Sequence, residues 1–212
     1  MTTIVCVKWG DKYHSSEVNK LFSDIKEYRA DVKFLCYTDD ASGLSDWIDI
    51  QPICDDDNVD GFWNKAMLFN NSVSKFNDRK MILLDIDMVL LNDPSPIIDF
   101  KPAHNTVHLI YAYWKKDVVF GENPNNPSNA WDMDANSSCA VWYPSVYIGN
   151  VTRKFISADP DIIMLSYKGF DRYVYYNHAN VIGRLPSTWF YSHKYGGRPD
   201  SAIFRMLNGT RK

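Results

Sequence analysis

Met81-Ile82-Leu83-Leu84-Asp85-Ile86-Asp87-Met88-Val89-Leu90-Leu91 is the most informative segment of the chain, because it holds two carboxylates inside an apolar run. An apolar run this short predicts a buried β-strand. Side chains at positions i and i+2 of an extended chain point to the same side, so Asp85 and Asp87 would direct their oxygens to one point. Buried carboxylates need a cation or hydrogen bonds to offset their charge. Carboxylate oxygens suit Mg²⁺ and Mn²⁺, so the pair predicts a divalent-metal site.

The Asp-x-Asp pattern alone is a weak signal, since it occurs four times in this Asp-rich chain. The occurrences at 55/57, 132/134 and 159/161 stand in polar surroundings or at a predicted helix start. The pair at 85/87 is the one embedded in a strand-like run. The alternative interpretation is a pair of solvated turn carboxylates that follow a strand.

The composition is that of one folded domain. The chain has 212 residues, of which 45% are hydrophobic and 15% aromatic, and this length can bury a substantial core. A net charge of −3 provides no basic surface for nucleic acid, and no apolar stretch approaches a membrane span. Three of the four cysteines lie in apolar runs. Together with an N-terminus that does not resemble a signal peptide, they predict a reducing, cytoplasmic location.

The first hundred residues alternate between strand and helix patterns. Strands are predicted over 3–9 and 32–37, and an amphipathic helix lies between them over 18–28, with Ser15 or Ser16 as its N-cap. A strand, a helix and a strand within about 35 residues predict a βαβ unit and a parallel sheet.

A second helical pattern, over 62–76, leads into the strand that carries the carboxylate pair. Lys8-Trp9-Gly10 and Thr38-Asp39-Asp40 follow the two earlier strands. Ligand sites in such sheets lie beyond the carboxyl ends of the strands, so we predict a site at this edge.

The alternation weakens in the second half. Strands are predicted over 107–113 and 139–143, with a loop between them over 121–130 that is rich in Gly, Pro and Asn. A short helix is predicted over 160–167, with Asp159 as its N-cap and Pro160 at its first position.

The ordered set of these motifs resembles nucleotide-sugar glycosyltransferases of the GT-A type, in style closest to glycogenin-like and related bacterial or viral enzymes. The set is Lys8-Trp9-Gly10-Asp11-Lys12-Tyr13, Thr38-Asp39, Asn64-Lys65, Asp85-x-Asp87 and Asn136-Ser137-Ser138. The resemblance implies an α/β, Rossmann-like GT-A fold with a mostly parallel central sheet flanked by helices. It also implies a single domain over 1–212, with a nucleotide-sugar-binding half over 1–100 and an acceptor-side half over 101–212.

The resemblance assigns the donor to the edge of the sheet. It implies donor-binding roles for Lys8, Trp9, Tyr13, Thr38, Asp39, Asn64, Lys65, Asn136 and Ser137. An aromatic ring that stacks on a nucleobase contributes about 1–3 kcal/mol, which suits Trp9. A cation such as Lys65 offsets the negative charge that grows on the departing diphosphate. The alternatives are an aromatic residue at the sheet edge for Trp9, a turn for Thr38 and Asp39, and a surface helix lysine for Lys65.

The metal site of the resembled family takes a third ligand from a late His-x-x-Gly-x-x-Lys-Pro segment. In this chain Asp85 and Asp87 match the metal pair, and Mn²⁺ or Mg²⁺ is the implied cofactor. His193-Lys-Tyr-Gly196-Gly-Arg198-Pro199 has the His-to-Gly spacing, but its cation-Pro pair comes one residue early and carries Arg instead of Lys. Either His193 is the ligand in a shortened loop, or the real segment lies beyond Lys212 in a longer parent chain.

The acceptor side carries the thinnest resemblance. Asn136-Ser137-Ser138 resembles a family Asn-Ser-Gly segment that faces the sugar, with Ser138 in place of Gly. Asp159 resembles a carboxylate that helps place the reacting sugar, although Pro160 stands where Gln is usual. Retention at the anomeric carbon is implied by the resemblance alone. An inverting enzyme would need a general base, and the candidates for that are Asp134, Asp159 and Asp161.

Two other functions stay open. Leu84-Asp-Ile-Asp-Met-Val-Leu90 also fits a Mg²⁺-dependent phosphatase of the haloacid-dehalogenase type, with Asp85 as the nucleophile and Asp87 as the acid/base. Two predicted strands and two helices precede the motif, which counts against that interpretation. An inactive relic that binds nucleotide or sugar is the second alternative. The motifs together favour transfer of a sugar from a nucleoside diphosphate donor, UDP above others, to a glycan, protein or small-molecule acceptor.

Overall fold

A computed structural model describes residues 1–53, 59, 61–70, 79–113, 133–194 and 197–207. The strands in these ranges are β1 Thr2–Lys8, β2 Lys33–Thr38, β3 Asp49–Pro52, β4 Lys80–Leu84, β5 Met88–Leu90, β6 Val107–Tyr111, β7 Ala135–Trp142, β8 Ile182–Leu185, β9 Phe190–Ser192 and β10 Phe204–Met206. The α-helices are α1 Ser15–Tyr28, α2 Ser95–Ile98, α3 Val146–Ser157, α4 Pro160–Tyr167 and α5 Phe170–Asn177. Shorter 3₁₀ helices cover Gly61–Phe69, Ala179–Val181 and Ser187–Trp189.

Seven strands form one sheet in the order β3-β2-β1-β4-β7-β6-β8. Strand β7 runs antiparallel to both of its neighbours, and the four other pairings are parallel. The predicted α/β fold with a mostly parallel central sheet is therefore confirmed. A second sheet contains β5, β10 and β9.

Helix α1 forms where the apolar periodicity predicts it, but its cap differs. The helix begins at Ser15, and His14 is the N-cap. The Glu17 carboxylate accepts a hydrogen bond of 2.8 Å from the His14 backbone N–H, which fixes the first turn. The Ser15 hydroxyl donates instead to the Ser42 carbonyl. The predicted serine cap is wrong because that hydroxyl ties the helix to the loop after β2.

The apolar run over 81–91 is two strands and not one. Strand β4 ends at Leu84 and β5 begins at Met88, so Asp85 and Asp87 stand in the turn between them. The Asp85 N–H donates to the Ser138 carbonyl of β7 at 2.8 Å. Since β4 belongs to the large sheet and β5 to the small one, the carboxylate pair lies at the junction of the two sheets.

Hydrophobic residues cover both faces of the large sheet. Neighbouring residues on β1 alternate between the faces, with Ile4 in one core and Val5 in the other. Helix α1 packs in the first core, whereas α3, α5 and the 3₁₀ helix Gly61–Phe69 pack in the second. This layered packing is that of a three-layer α/β domain.

The buried cysteines and the two strands predicted in the second half are found in the described residues. Cys6, Cys36 and Cys139 are buried free thiols, as the apolar runs predict. The 107–113 strand ends at Tyr111, and the 139–143 strand begins earlier, at Ala135. No helix in the described ranges is long and apolar enough to cross a membrane. The Asp-rich turn at 55–57, residues 71–76 of the second helical pattern and the loop predicted over 121–130 lie outside the described residues.

Gly183 of β8 provides a test of sheet packing. It pairs with His108 of β6, and a Cβ atom at this position would overlap the His108 ring. The ring packs edge-on against Phe100, with 5.0 Å between centroids, so it has little room to move. We expect Gly183→Ala to lower the free energy of unfolding by about 1–3 kcal/mol, as measured by urea denaturation. Gly197→Ala is the control, since a Cβ there meets no atom within 4 Å. Equal midpoints of urea denaturation for the two variants would contradict the overlap of the added Cβ atom with the His108 ring.

His178 makes stability depend on pH. The side chain is buried, and Nε2 lies 3.2 Å from the Tyr173 hydroxyl, which itself donates to the Val151 carbonyl. The imidazole must therefore donate through Nε2. Burial, with a smaller effect from Lys154, lowers the pKa of His178 from 6.5 to about 4. The unfolded chain therefore binds more protons than the folded chain between these two pKa values. The contribution of His178 to stability is complete above pH 6.5 and is lost as the pH falls towards 4.

His178→Gln should remove this dependence while it keeps a donor for Tyr173. Between about pH 7 and pH 4.5, we expect the wild type to lose about 2 kcal/mol more unfolding free energy than the variant. Urea denaturation at a series of pH values measures the difference. Parallel pH profiles for the two proteins would mean that His178 does not titrate in this window.

Candidate active site

A cavity of about 530 Å³ opens at the carboxyl edge of the large sheet. Its walls come from the end of β1, the 3₁₀ helix Gly61–Phe69, the turn after β4, the start of β7 and the start of α5. The sequence-predicted residues on these walls are Trp9, Tyr13, Lys65, Asp85, Asp87, Asn136 and Ser137. The fold thus brings four separate motifs of the sequence to one cavity.

Asp85 forms an ion pair with Lys65 inside the cavity. The Lys65 Nζ atom lies 2.5 Å from Asp85 Oδ1, and the side chains are 8% and 23% exposed, respectively. Burial raises the pKa of Asp85, and the charge of Asp87 adds to the rise. The Lys65 ammonium and a hydrogen bond with Ser138 oppose it. A positive charge beside Asp85 therefore favours its ionised form.

Asp87 has a neutral partner. Its carboxylate is hydrogen-bonded to the Tyr13 hydroxyl. Burial and the charges of Asp87 and Asp85 raise the pKa of Tyr13 above its usual value, so the phenol stays protonated and donates. Lys12 lies over the Tyr13 ring, with Nζ 4.8 Å from the ring centre. The loop after β1 thereby adds a cation and a hydrogen-bond donor to the carboxylate pair.

A bulge in β7 presents the Asn136–Ser138 segment to the cavity. Ile110 of β6 pairs with Asn136, but the preceding Leu109 pairs with Ala140, so residues 137–139 have no partner on β6. Bulges of this kind redirect side chains next to active sites. Asp171 of α5 fixes the bulge, because its Oδ1 accepts a hydrogen bond of 2.8 Å from the Ser137 N–H. Its Oδ2 lies 3.5 Å from Asn136 Nδ2.

Glycosyltransferases of known structure share this architecture. An active-site mutant of LgtC matches with a TM-score of 0.64 at 11% identity, over 100% of this chain and 89% of LgtC. A glycosyltransferase involved in the glycosylation of the major capsid of PBCV-1 matches with a TM-score of 0.61 at 12% identity, over 99% of this chain and 94% of that enzyme. Mouse xyloside xylosyltransferase 1 matches with a TM-score of 0.53 at 10% identity, over 100% of this chain and 99% of that protein. The chain has the GT-A glycosyltransferase fold.

Sequence comparisons add no closer relative. No protein-family model matches the chain, and no curated protein matches it. The GT-A fold is therefore shown by three-dimensional similarity, while the roles of individual residues depend on the geometry of the cavity.

Four predicted donor-binding residues of this GT-A fold, Lys8, Thr38, Asp39 and Asn64, are not on the cavity wall. The Thr38 hydroxyl and Lys8 Nζ both donate to the Asp40 carbonyl, at 2.9 and 3.1 Å. The Asp39 carboxylate accepts a 2.9 Å hydrogen bond from the Gly10 N–H. These bonds join the loops after β1 and β2, so they position Trp9 and Tyr13.

Asn64 is buried one residue before Lys65. Its amide donates to the carbonyls of Val59 and Gly61, at 2.9 and 3.1 Å. It therefore holds in place the 3₁₀ helix that carries Lys65 into the cavity.

The predicted catalytic carboxylates lie away from the cavity wall. Asp134 accepts hydrogen bonds from Arg184, at 2.9 Å from Nε and 2.5 Å from Nη2. Asp159 is exposed and caps α4, since its Oδ1 accepts a bond of 3.1 Å from the Asp161 N–H. The N-cap expectation for Asp159 is confirmed. Asp161 is exposed on the same helix. A general-base role for these three residues stays a prediction.

His193 is exposed at the end of β9, near the backbone of the carboxylate pair. Its N–H donates to the Met206 carbonyl, and the next residue, Leu207, donates to the Asp87 carbonyl. The His193 side chain does not line the cavity. In the described part of the chain, no group of three His, Cys, Asp or Glu side chains is arranged to hold a metal ion. Residues 195–196 of the predicted ligand segment lie outside the described residues, so His193 as a ligand stays a prediction.

Asp171 and Phe62 are among the cavity residues that the sequence did not predict. Asp171 has no motif around it, and an acidic residue in the first turn of a helix is common. Phe62 begins the helical pattern predicted over 62–76, and its side chain is 52% exposed at the cavity. Its ring stacks on buried Trp63, with 5.7 Å between centroids. A large exposed aromatic ring that is held by a neighbour is a surface on which a sugar ring can pack.

Proposed function

We propose that this chain transfers a sugar from a nucleoside diphosphate donor, UDP-sugar above others, to an acceptor hydroxyl, with Mn²⁺ or Mg²⁺ bound at Asp85 and Asp87. The observation that carries the proposal is the cavity of the GT-A fold, where the carboxylate pair meets a lysine that is 2.5 Å from Asp85. The galactosyltransferase LgtC, which has a similar fold, is known in complex with donor and acceptor sugar analogues.

The donor set suits a hard divalent ion. Mg²⁺ is usually held by one or two carboxylates together with phosphate oxygens of the substrate and water. Asp85 and Asp87 supply the carboxylates, and a diphosphate in the cavity would supply the rest. When bound, such an ion acts as a Lewis acid on the departing nucleoside diphosphate.

The residues of the chain would bind and orient the substrates. The Lys65 ammonium would neutralise part of the diphosphate charge. Trp9, which is 38% exposed, would stack on the nucleobase, with Tyr13 beside it. Asn136 and Ser137, held by Asp171, would face the transferred sugar, and the acceptor would enter past Phe62.

Calorimetric titration of UDP, with and without Mn²⁺, tests the donor site. Binding that requires Mn²⁺ supports the proposal and justifies a screen of UDP-sugars, in which NMR of the product shows whether the anomeric configuration is retained. No binding of UDP or any other common nucleoside diphosphate would contradict it. Covalent phosphate on Asp85 would favour the phosphatase, and binding without transfer or hydrolysis would favour the inactive relic.

A further inference from the structure

Each carboxylate of the metal pair already has a partner within the protein, and the two partners differ in charge. Asp85 contacts the Lys65 ammonium at 2.5 Å. Asp87 is hydrogen-bonded to the neutral Tyr13 hydroxyl. A phenol can stay on one carboxylate oxygen while the other oxygen binds a cation. An ammonium on Asp85 opposes a cation directly, because both positive charges would share one carboxylate.

We infer that Lys65 is an exchangeable counter-ion that competes with the divalent cation for Asp85 and moves to the donor diphosphate when both ligands are bound. The inference rests on the proposed function, since it needs a cation at the pair and a diphosphate beside it. The lysine side chain suits this exchange because its ammonium sits on a flexible four-carbon stem.

The burial of Lys65 explains why the exchange would couple the two ligands. Only 8% of its side chain is exposed, and a buried ammonium without an anion is costly. A cation that displaces Lys65 from Asp85 therefore binds weakly unless a new anion enters the cavity. The donor diphosphate is such an anion, so metal and donor should strengthen each other's binding by the same factor.

The test measures Mn²⁺ binding by electron paramagnetic resonance of the free ion, with no donor present. Lys65→Met removes the competing charge at similar length, and we expect it to raise the affinity for Mn²⁺ alone about 10-fold. At saturating Mn²⁺, the same variant should bind UDP about 10-fold more weakly, because the diphosphate loses its lysine. The two effects have opposite signs, which a general loss of structure would not produce.

Lys33→Met is the matched control. It removes the same charge from an exposed lysine at the start of β2, which is not on the cavity wall. We expect it to change Mn²⁺ affinity by less than about 2-fold. If Lys65→Met folds poorly, Lys65→Gln is the second variant, and the increase in its melting temperature with Mn²⁺ should exceed that of the wild type.

The outcomes separate the two proposals. An unchanged or lower Mn²⁺ affinity in the Lys65 variants, while the wild type binds Mn²⁺ and UDP together, would overturn the exchange and leave the proposed function standing. An equal rise in the Lys33 variant would also overturn the exchange, since the effect would then be one of general charge. A wild type that binds neither ligand would overturn both proposals.

Discussion

Asp87→Asn is expected to abolish Mn²⁺-dependent binding of UDP, with a loss of affinity of at least about 100-fold, or about 2.8 kcal/mol. The amide has the shape of the carboxylate but carries no charge, and it is a far weaker ligand for a hard cation. Its oxygen can still accept the hydrogen bond from Tyr13, so the fold should persist. Calorimetric titration of UDP in the presence of Mn²⁺ measures the loss.

Asp49→Asn is the matched control for this variant. Asp49 is an exposed carboxylate at the start of β3, so the substitution removes the same charge far from the carboxylate pair. It should bind UDP as the wild type does, and both variants should keep the wild-type melting temperature. An Asp87→Asn protein with wild-type UDP affinity would refute the metal assignment.

The parts of the fold that depend on residues close together in the sequence could be predicted. The βαβ unit from β1 to β2 follows from short-range periodicity, since the buried residues Val18, Leu21, Phe22 and Ile25 repeat at helical spacing. The carboxylate pair could be found because charged residues are not expected inside a buried apolar strand. Position at the carboxyl ends of parallel strands then placed Asp85 near Trp9, as the cavity shows.

The remainder depends on contacts between distant residues. The apolar run over 81–91 does not reveal that it divides at Asp85, because the division depends on the bond between the Asp85 N–H and Ser138. Asp171 reaches Ser137 across 34 residues, and no motif marks that pairing. In the same way, no motif marks the contact between Asp134 and Arg184, which are 50 residues apart. Helices α3 and α5 were not predicted either, although both bury one face in the second core.

Asp171→Ala is expected to slow sugar transfer much more than it weakens UDP binding. Ser137 is only 2% exposed, so without Asp171 its N–H would be buried and unpaired, at a cost of about 1–3 kcal/mol. The β7 bulge would then shift, and a displacement of about 1 Å near the reacting sugar can slow a reaction about 100-fold. The carboxylate pair and Lys65 belong to other elements, so the affinity for UDP should change by less than about 3-fold.

Two quantities are measured for both Asp171→Ala and Asp171→Asn, the rate of UDP-sugar consumption and the dissociation constant of UDP. The amide keeps one acceptor oxygen for the Ser137 N–H, so Asp171→Asn should retain more activity than Asp171→Ala. Asp161→Ala is the informative comparison, because sequence alone made Asp161 a candidate base whereas the structure places it on the exposed surface of α4. Loss of turnover in Asp161→Ala with normal turnover in Asp171→Ala would contradict the positioning role of Asp171 and would support Asp161 as the general base.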